Sequence, residues 1–194
     1  MREKPFILII EGGNAVGKSF ICKELREKIK YVTLLDLNGC PDKSKNGERK
    51  MFDYHKRIFD FFEDTSNCQM NYICCRSYKS ETVYCKLGYK PYTFEKYDKL
   101  LTNYLSYLTK YYDIYFILLT TDEDTFGMRL NRDKVEYHKF SVENSIKQQN
   151  MYKCELKEMT NDLKDVKIFE IENDNSEKVI NTIKDIILNN MVGD

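Results

Sequence analysis

A phosphate-binding motif lies near the start of the chain, because residues 12–19 match the pattern G-x-x-x-x-G-K-S. Its glycines allow the backbone to bend tightly around an anion and to turn N–H groups toward it. A helix that follows the loop adds unpaired N–H donors and the positive end of its dipole. Lys18 can reach the outer phosphates of a nucleotide, and the Ser19 hydroxyl can bind Mg²⁺. The predicted phosphate-binding residues are Gly12, Gly13, Asn14, Ala15, Val16, Gly17, Lys18 and Ser19.

Two further charged side chains are expected at the same edge of the molecule. Arg76 directly follows the apolar run Asn71–Cys75, and Asp36 follows the run Tyr31–Leu35. Parallel sheets bind ligands at the carboxyl ends of their strands. The planar guanidinium of Arg76 suits a phosphate or a 5′-oxygen in that position.

Two more arginines, Arg129 and Arg132, lie in the helix predicted after the run Ile114–Thr120. Moving a phosphoryl group requires neutralisation of the charge on its oxygens, chiefly by positioned cations. Lys18 on one side and these arginines on the other could supply that charge. The candidate catalytic residues are Lys18, Asp36, Arg76, Arg129 and Arg132.

Apolar runs that alternate with helical spacing must position these residues. Strands are predicted at Pro5–Ile10, Tyr31–Leu35, Asn71–Cys75, Ile114–Thr120 and Val166–Ile171. Helices are predicted at Phe20–Lys30, Met51–Asp64, Phe94–Tyr112, Ser141–Asp162, directly after Thr121, and from Asn175 onward. This alternation predicts an α/β fold of three layers, a five-stranded parallel sheet with helices on both faces. No repeat or linker interrupts the 194 residues, so a single domain over 1–194 is expected.

Composition argues against several classes of protein. Lys plus Arg and Asp plus Glu both number 31, and a chain without basic excess is not expected to bind nucleic acid. The 7 cysteines are odd in number and contain no C-x-x-C pair, so neither a disulfide framework nor a zinc site is favoured. The N-terminal apolar run is too short for a signal peptide, and no run approaches the ~18 residues of a membrane span. We therefore predict a cytoplasmic protein with no membrane or nucleic-acid partner.

Together these motifs resemble the thymidylate kinase and deoxynucleoside kinase families of P-loop kinases. Thymidylate kinases begin the phosphate loop with Glu-Gly, which this chain also has. They also keep a serine four residues and a tyrosine eight residues after the arginine of the third strand, as Arg76, Ser80 and Tyr84 are spaced here. Deoxynucleoside kinases have Glu-Arg-Ser at that place, and Arg76 followed by Ser77 fits equally well.

The resemblance implies a three-layer P-loop kinase fold that transfers the γ-phosphoryl group of Mg-ATP to a small nucleoside or nucleotide. It also implies a homodimer and a lid around residues 129–140, in which we expect Asp133–Lys139 to be mobile until both ligands bind. The acceptor-binding candidates are Asp36, Phe52, Arg57, Arg76, Ser80 and Tyr84. The aromatic members of this set could stack on a base.

Three positions depart from the pattern of these families. Cys75 stands where both families carry an acid that helps to hold the metal ion. The second strand ends in Asp36-Leu37-Asn38 instead of a Glu-Pro or Arg-Glu-Pro sequence. Asn14 stands where thymidylate kinases often have an acid inside the loop. The stretch between Asp36 and Arg76 is also shorter than is usual in either family, so the resemblance supports the donor side of the site better than the acceptor side.

Three functional hypotheses follow from this comparison. The thymidylate-kinase spacing after Arg76 predicts a deoxynucleoside monophosphate, dTMP first, as the acceptor. The first alternative is a deoxynucleoside kinase, whose neutral 5′-hydroxyl would need a base such as Asp36. The second alternative is a nucleotide-binding regulator that has lost catalysis, for which Cys75 in place of an acid is the indication.

Overall fold

The computed structural model describes residues 4–37, 44, 46–132 and 141–191. Its strands are β1 (Phe6–Gly12), β2 (Val32–Asp36), β3 (Asn71–Cys75), β4 (Asp113–Thr120) and β5 (Val166–Glu172). They form one sheet in the order β2-β3-β1-β4-β5, and every pairing in it is parallel. The predicted α/β fold with a five-stranded parallel sheet is confirmed.

Helices connect the strands and cover both faces of the sheet. Their bounds are α1 (Lys18–Lys28), α2 (Gly47–Asp64), α3 (Tyr78–Lys86), α4 (Glu95–Leu108), α5 (Glu123–Arg132), α6 (Val142–Asp162) and α7 (Ser176–Met191). Apolar side chains of α1, α5 and α7 pack on one face, and those of α2 and α4 pack on the other. Across the described ranges, no helix combines the length and apolar character needed to cross a membrane.

The central strand β1 explains why its sequence is continuously apolar. Phe6, Leu8 and Ile10 join the core formed with α1 and α7, whereas Ile7 and Ile9 join the core formed with α2 and α4. Successive side chains of a strand point to opposite faces, so a strand covered on both faces needs apolar residues at every position. Such a strand holds the loop that follows it in a fixed place.

Element bounds differ from the predicted ones where local geometry intervenes. β2 starts at Val32 rather than Tyr31, because Tyr31 has a left-handed φ of 56° that a strand does not allow. α4 ends at Leu108, four residues before the predicted Tyr112, and turns follow it. α2 begins at Gly47, four residues before the predicted Met51. The sequence did not indicate this first turn because it is polar and has no apolar spacing.

Helix α3 was not predicted, because its buried positions are polar. Four consecutive residues, Lys79, Ser80, Glu81 and Thr82, are all buried. Buried polar groups are tolerated when they find partners. Lys79 pairs with Asp98 of α4 at 2.8 Å, and the Thr82 hydroxyl donates to that same carboxylate at 2.6 Å. Such a helix shows no apolar stripe in its sequence.

Candidate active site

The loop between β1 and α1, Gly12–Ser19, takes a conformation that depends on glycine. Gly12 has φ 147° and Gly17 has φ 94°, values that strain any other residue. A Cβ atom on Gly12 would lie 2.5 Å from the carbonyl oxygen of Leu119, and one on Gly17 would lie 2.6 Å from Asn173 Nδ2. The loop is thus packed against β4 and against the end of β5. The glycines are required both for backbone angle and for space.

The side chain of Lys18 bonds back to the backbone of its own loop. Its ammonium group donates to the carbonyl oxygens of Gly12 at 2.8 Å and of Gly13 at 2.7 Å, and the side chain is buried. Burial, together with the nearby charge of Arg76, lowers the pKa of Lys18 to about 8. An ammonium held this way loses water before a ligand arrives, so its charge would act strongly on a bound phosphate.

A second set of contacts fixes the loop from outside. Asn173, fully buried directly after β5, donates through Nδ2 to the carbonyl oxygen of Val16 at 2.8 Å. Arg129 of α5 donates to the same oxygen at 3.0 Å and to the carbonyl oxygen of Asn173 at 2.8 Å. On the opposite side, Gln148 of α6 accepts from the N–H of Asn14 at 2.9 Å. Three distant elements therefore hold one short loop.

Glu11, the residue before the loop, is a fully buried carboxylate. It accepts from the N–H and the hydroxyl of Ser77 at 2.6 and 2.8 Å, and from the Ser80 hydroxyl at 2.9 Å. Burial raises the pKa of Glu11, although these hydrogen bonds and the charge of Lys18 oppose that rise. The contacts tie the end of β1 to the start of α3. Ser80 also shares a hydrogen bond with the Tyr152 hydroxyl at 2.8 Å.

Asp36 and Arg76 meet at the carboxyl ends of neighbouring strands. Asp36 is paired with Cys75 in the β2–β3 ladder, and Arg76 is the next residue of the chain. The Arg76 guanidinium donates to Asp36 at 3.4 Å, and the Asp36 side chain is 52 % exposed. The main-chain N–H of Arg76 donates to the carbonyl oxygen of Ile10 at 3.0 Å, which fixes Arg76 beside the loop. Its φ of 77° marks a sharp turn out of the strand.

A cavity of about 450 Å³ opens at this edge of the sheet. Its lining residues are Asn14, Ala15, Gly17, Lys18, Ser19, Phe20, Arg76, Arg129 and Ser176. Three of the predicted catalytic residues, Lys18, Arg76 and Arg129, thus line one cavity. Two lining residues, Phe20 and Ser176, did not figure among the predicted site residues.

Cys75 lies next to the predicted metal ligand. Its sulfur is 3.8 Å from the Ser19 hydroxyl. A hydrogen bond from Cys22, with the charge of Arg76, lowers the pKa of the Cys75 thiol, whereas the pKa of Cys22 is raised. Within the described residues no cluster of three or more His, Cys, Asp or Glu side chains could hold a metal ion. Mg²⁺ often keeps several waters and binds through one or two protein ligands plus phosphates, and an exposed Ser19 fits that arrangement.

Most of the predicted acceptor-binding residues do not line this cavity; Arg76 is the one that does. Phe52 is buried and stacks on Tyr97 with ring centroids 4.5 Å apart, whereas Arg57 on the same helix is exposed. Tyr84 is half-buried and donates to Asn14 Oδ1 at 3.4 Å, so it reaches the phosphate loop. Asp36 lies beside Arg76 at the same edge.

The predicted lid falls largely outside the described part of the chain. Asp133–Lys139 and the side chain of Arg132 lie outside the described residues, so Arg129 is the predicted lid arginine whose contacts the structure describes. The guanidinium of Arg129 is engaged with the carbonyl oxygens of the loop and of Asn173.

Comparison with known proteins places this site in a known fold. No family model matches the chain, and no curated protein matches it. Among solved structures it is similar to that of a deoxyadenosine kinase from M. mycoides with the products dCMP and a flexible dCDP bound. The TM-score is 0.56 at 17% identity, over 95% of this chain and 99% of that chain. The chain has the fold of a P-loop kinase.

Within this kinase fold, several site residues gave no prior indication in the sequence. Asn173 and Gln148 are 157 and 134 residues away from their loop partners, and no local pattern announces such contacts. Phe20 directly follows the motif, and its place in the sequence was the one available sign, because its exposure is visible only in the structure. Glu11 matches the thymidylate-kinase pattern, but its hydrogen bonds to Ser77 and Ser80 depend on α3, a helix that was not predicted from the sequence.

Proposed function

We propose that this chain is a deoxynucleoside kinase that transfers the γ-phosphoryl group of Mg-ATP to the 5′-hydroxyl of a deoxynucleoside. The observation that carries this proposal is the Asp36 carboxylate, which lies 3.4 Å from Arg76, one of the residues that line the phosphate cavity. A base and a cation side by side at a strand edge are what a neutral hydroxyl acceptor requires.

The donor side of the proposal rests on the phosphate loop. Its N–H groups, the buried ammonium of Lys18 and the start of α1 offer an anion site for the phosphates of ATP. Arg129 adds a second cation at the cavity wall. Ser19 would hold Mg²⁺ together with phosphate oxygens and water, and the bound ion would neutralise charge on the transferring group.

On the acceptor side, Asp36 would take the proton from the 5′-hydroxyl as its oxygen attacks phosphorus. The guanidinium of Arg76 lies beside the carboxylate and would stabilise the developing negative charge. The side chain of Asp36 is half-exposed, so a substrate hydroxyl can reach it. General base catalysis of this kind contributes typically ~10²–10⁴-fold to turnover.

The same contact disfavours a monophosphate, which was the acceptor predicted from spacing. A phosphate dianion approaching Arg76 would meet the carboxylate of Asp36 within a few ångströms, and like charges repel. Ser80, one of the three residues that carried the thymidylate-kinase spacing, is buried and bonded to Glu11 and Tyr152. A deoxynucleoside monophosphate, dTMP first, therefore becomes the second candidate, which Arg76 and its spacing to Tyr84 still favour.

A panel assay tests the two acceptors directly. Purified protein is incubated with γ-labelled ATP and Mg²⁺ and either the four deoxynucleosides or their 5′-monophosphates. We expect labelled monophosphates from the nucleosides and no labelled diphosphates. Product from monophosphates alone would instead establish the second candidate, and ATP binding without any product would indicate a non-catalytic regulator.

The variant Asp36→Asn provides the mechanistic test. Loss of a general base predicts a fall in turnover of ~10²–10⁴-fold with unchanged binding of ATP. The matched control is Asp53→Asn on α2, an exposed carboxylate paired with Arg49, which should leave turnover unchanged. A loss below ~10-fold for Asp36→Asn would contradict the nucleoside assignment, because a monophosphate needs no base.

A further inference from the structure

The side chain of Phe20 has no evident structural role in the fold. It is the third residue of α1 and is 55 % exposed, whereas Ile21, Cys22 and Leu25 of the same helix are fully buried. Among the described residues, the Phe20 ring makes no aromatic or cation–π contact. Single exposed apolar side chains are common on protein surfaces, so the informative feature of Phe20 is its place in the wall of the candidate cavity.

Phe20 forms part of the wall of the cavity that receives the phosphates. Phosphates bound at the N–H groups of the loop would fill the part of the cavity beside Lys18. The nucleoside portion of the donor would then occupy a part of the cavity away from Arg76, which marks the acceptor side. Phe20, Arg129 and Ser176 line the cavity together with the loop.

Two polar residues that line the same cavity as Phe20 already have partners within the protein. Arg129 donates to the carbonyl oxygens of Val16 and Asn173, and the Ser176 hydroxyl donates to Asn173 Oδ1 at 3.3 Å. These groups are committed to holding the loop. Among the residues that line this cavity in the described part of the chain, Phe20 is the aromatic one, so its exposed ring is the surface on which a flat base could stack.

We propose that Phe20 is the stacking platform for the base of the phosphoryl donor; this rests on the proposed function at the same cavity. Stacking on an aromatic ring does not depend on hydrogen-bonding edges, because every base has a π-face. Purines offer more overlap than pyrimidines. The donor site then accepts ATP and GTP alike and binds CTP less tightly.

Binding measurements with Phe20→Ala test the platform separately from the phosphate site. Isothermal titration with Mg-ATP and with inorganic tripolyphosphate reports the two parts of the donor. We expect Phe20→Ala to weaken ATP binding about 10- to 100-fold and to change tripolyphosphate binding less than ~2-fold. Alanine suits an exposed helix position, so the fold should be retained. Tyr31→Ala, which removes an 89 % exposed ring beyond the other end of α1, is the control and should change neither affinity.

A tryptophan probe gives an independent readout. The chain contains no tryptophan, so Phe20→Trp introduces a single fluorophore at the proposed platform. We expect ATP and GTP to quench its emission and to bind with wild-type affinity, CTP to do so at higher concentration, and tripolyphosphate to bind without quenching.

The outcomes separate the two proposals. Wild-type affinity of Phe20→Ala for ATP, or equal quenching of Phe20→Trp by tripolyphosphate and ATP, would overturn the role of Phe20 and leave the phosphate site standing. Failure of tripolyphosphate to bind the wild-type protein would overturn the donor site itself, and with it the proposed function. Loss of tripolyphosphate binding in Phe20→Ala would show that the residue shapes the loop and does not act as a platform.

Discussion

The two halves of the candidate site are built in different ways. On the donor side, side chains from α5, α6 and the end of β5 all bond to the backbone of the phosphate loop, and Lys18 bonds to it from within. On the acceptor side, a contact of 3.4 Å joins two partly exposed side chains, Asp36 and Arg76. A rigid backbone site suits a ligand that never changes, whereas adjustable side chains suit choice among acceptors. Substitutions on the two sides should therefore have separable effects.

The largest effect is expected for Lys18→Ala on the donor side. Removal of a charge that neutralises the transferring phosphoryl group should lower turnover at least ~10²-fold, and by the same factor with every acceptor. Steady-state kinetics with several nucleosides measures this. Lys28→Ala, on the exposed end of the same helix and paired with Glu24, is the control. If Lys18→Ala kept normal turnover with any one acceptor, the donor and acceptor sides would not act separately.

Asn173→Ala tests whether the outer contacts hold the loop. The substitution removes the donor to Val16 in a buried position, and we expect the free energy of unfolding to fall by about 1–3 kcal/mol. ATP binding should weaken as well, while the KM for the acceptor stays constant. Urea denaturation and titration with ATP measure these quantities. Asn161→Ala, exposed on α6, should change stability by less than ~0.5 kcal/mol. A stable variant with altered acceptor KM would contradict the scheme.

The pH dependence of ATP binding should report Lys18. Its pKa of about 8 in the free protein means that the ammonium is charged below this pH and neutral above it. Because phosphate binding favours the charged form, the Kd for ATP should rise about tenfold between pH 7.5 and pH 9. The Lys18→Ala variant should bind ATP weakly, and its Kd for ATP should not rise between pH 7.5 and pH 9. A wild-type Kd that stays constant to pH 9 would show that Lys18 keeps its ordinary pKa.

The smallest effect is expected for Tyr84→Phe on the acceptor side. The lost hydrogen bond to Asn14 is long, at 3.4 Å, and such bonds contribute little net free energy. The acceptor KM should rise less than about threefold, with Kd for ATP unchanged. Tyr31→Phe serves as the comparison. If ATP binding weakened instead, Tyr84 would belong to the donor half, through its bond to the loop residue.

The sequence predicted the donor half better than the acceptor half, for a physical reason. Gly12, Gly17 and Lys18 act through backbone angle, space and charge, which are properties of the residue types themselves. The start of α6, which the sequence predicted, is likewise set by a local contact, in which Ser141 Oγ accepts from the N–H of Asn144 at 3.1 Å. Local rules of this kind can be applied to a sequence before any fold is known.

The remainder depended on tertiary contacts. The strand order places Arg76 and Asp36 side by side, and nothing in the composition of either strand determines that order. Asn173 reaches the loop only because β5 lies next to β4. Phe52 is one of the aromatic candidates that could stack on a base, and the sequence did not indicate that its ring stacks on Tyr97, a pairing that requires the packing of α2 on α4.

Helix α3 has a consequence for how this protein can vary. Lys79 pairs with Asp98 of α4 and lies 3.6 Å from Glu155 of α6, and Glu155 in turn pairs with Lys86. Removing one member of a buried pair costs about 3–5 kcal/mol, since a charge is left without its partner. Single substitutions along α3 would be rejected, whereas paired changes on two helices could be accepted. Among related sequences, substitutions in α3 should therefore occur together with substitutions at the partner positions, which is epistasis caused by burial.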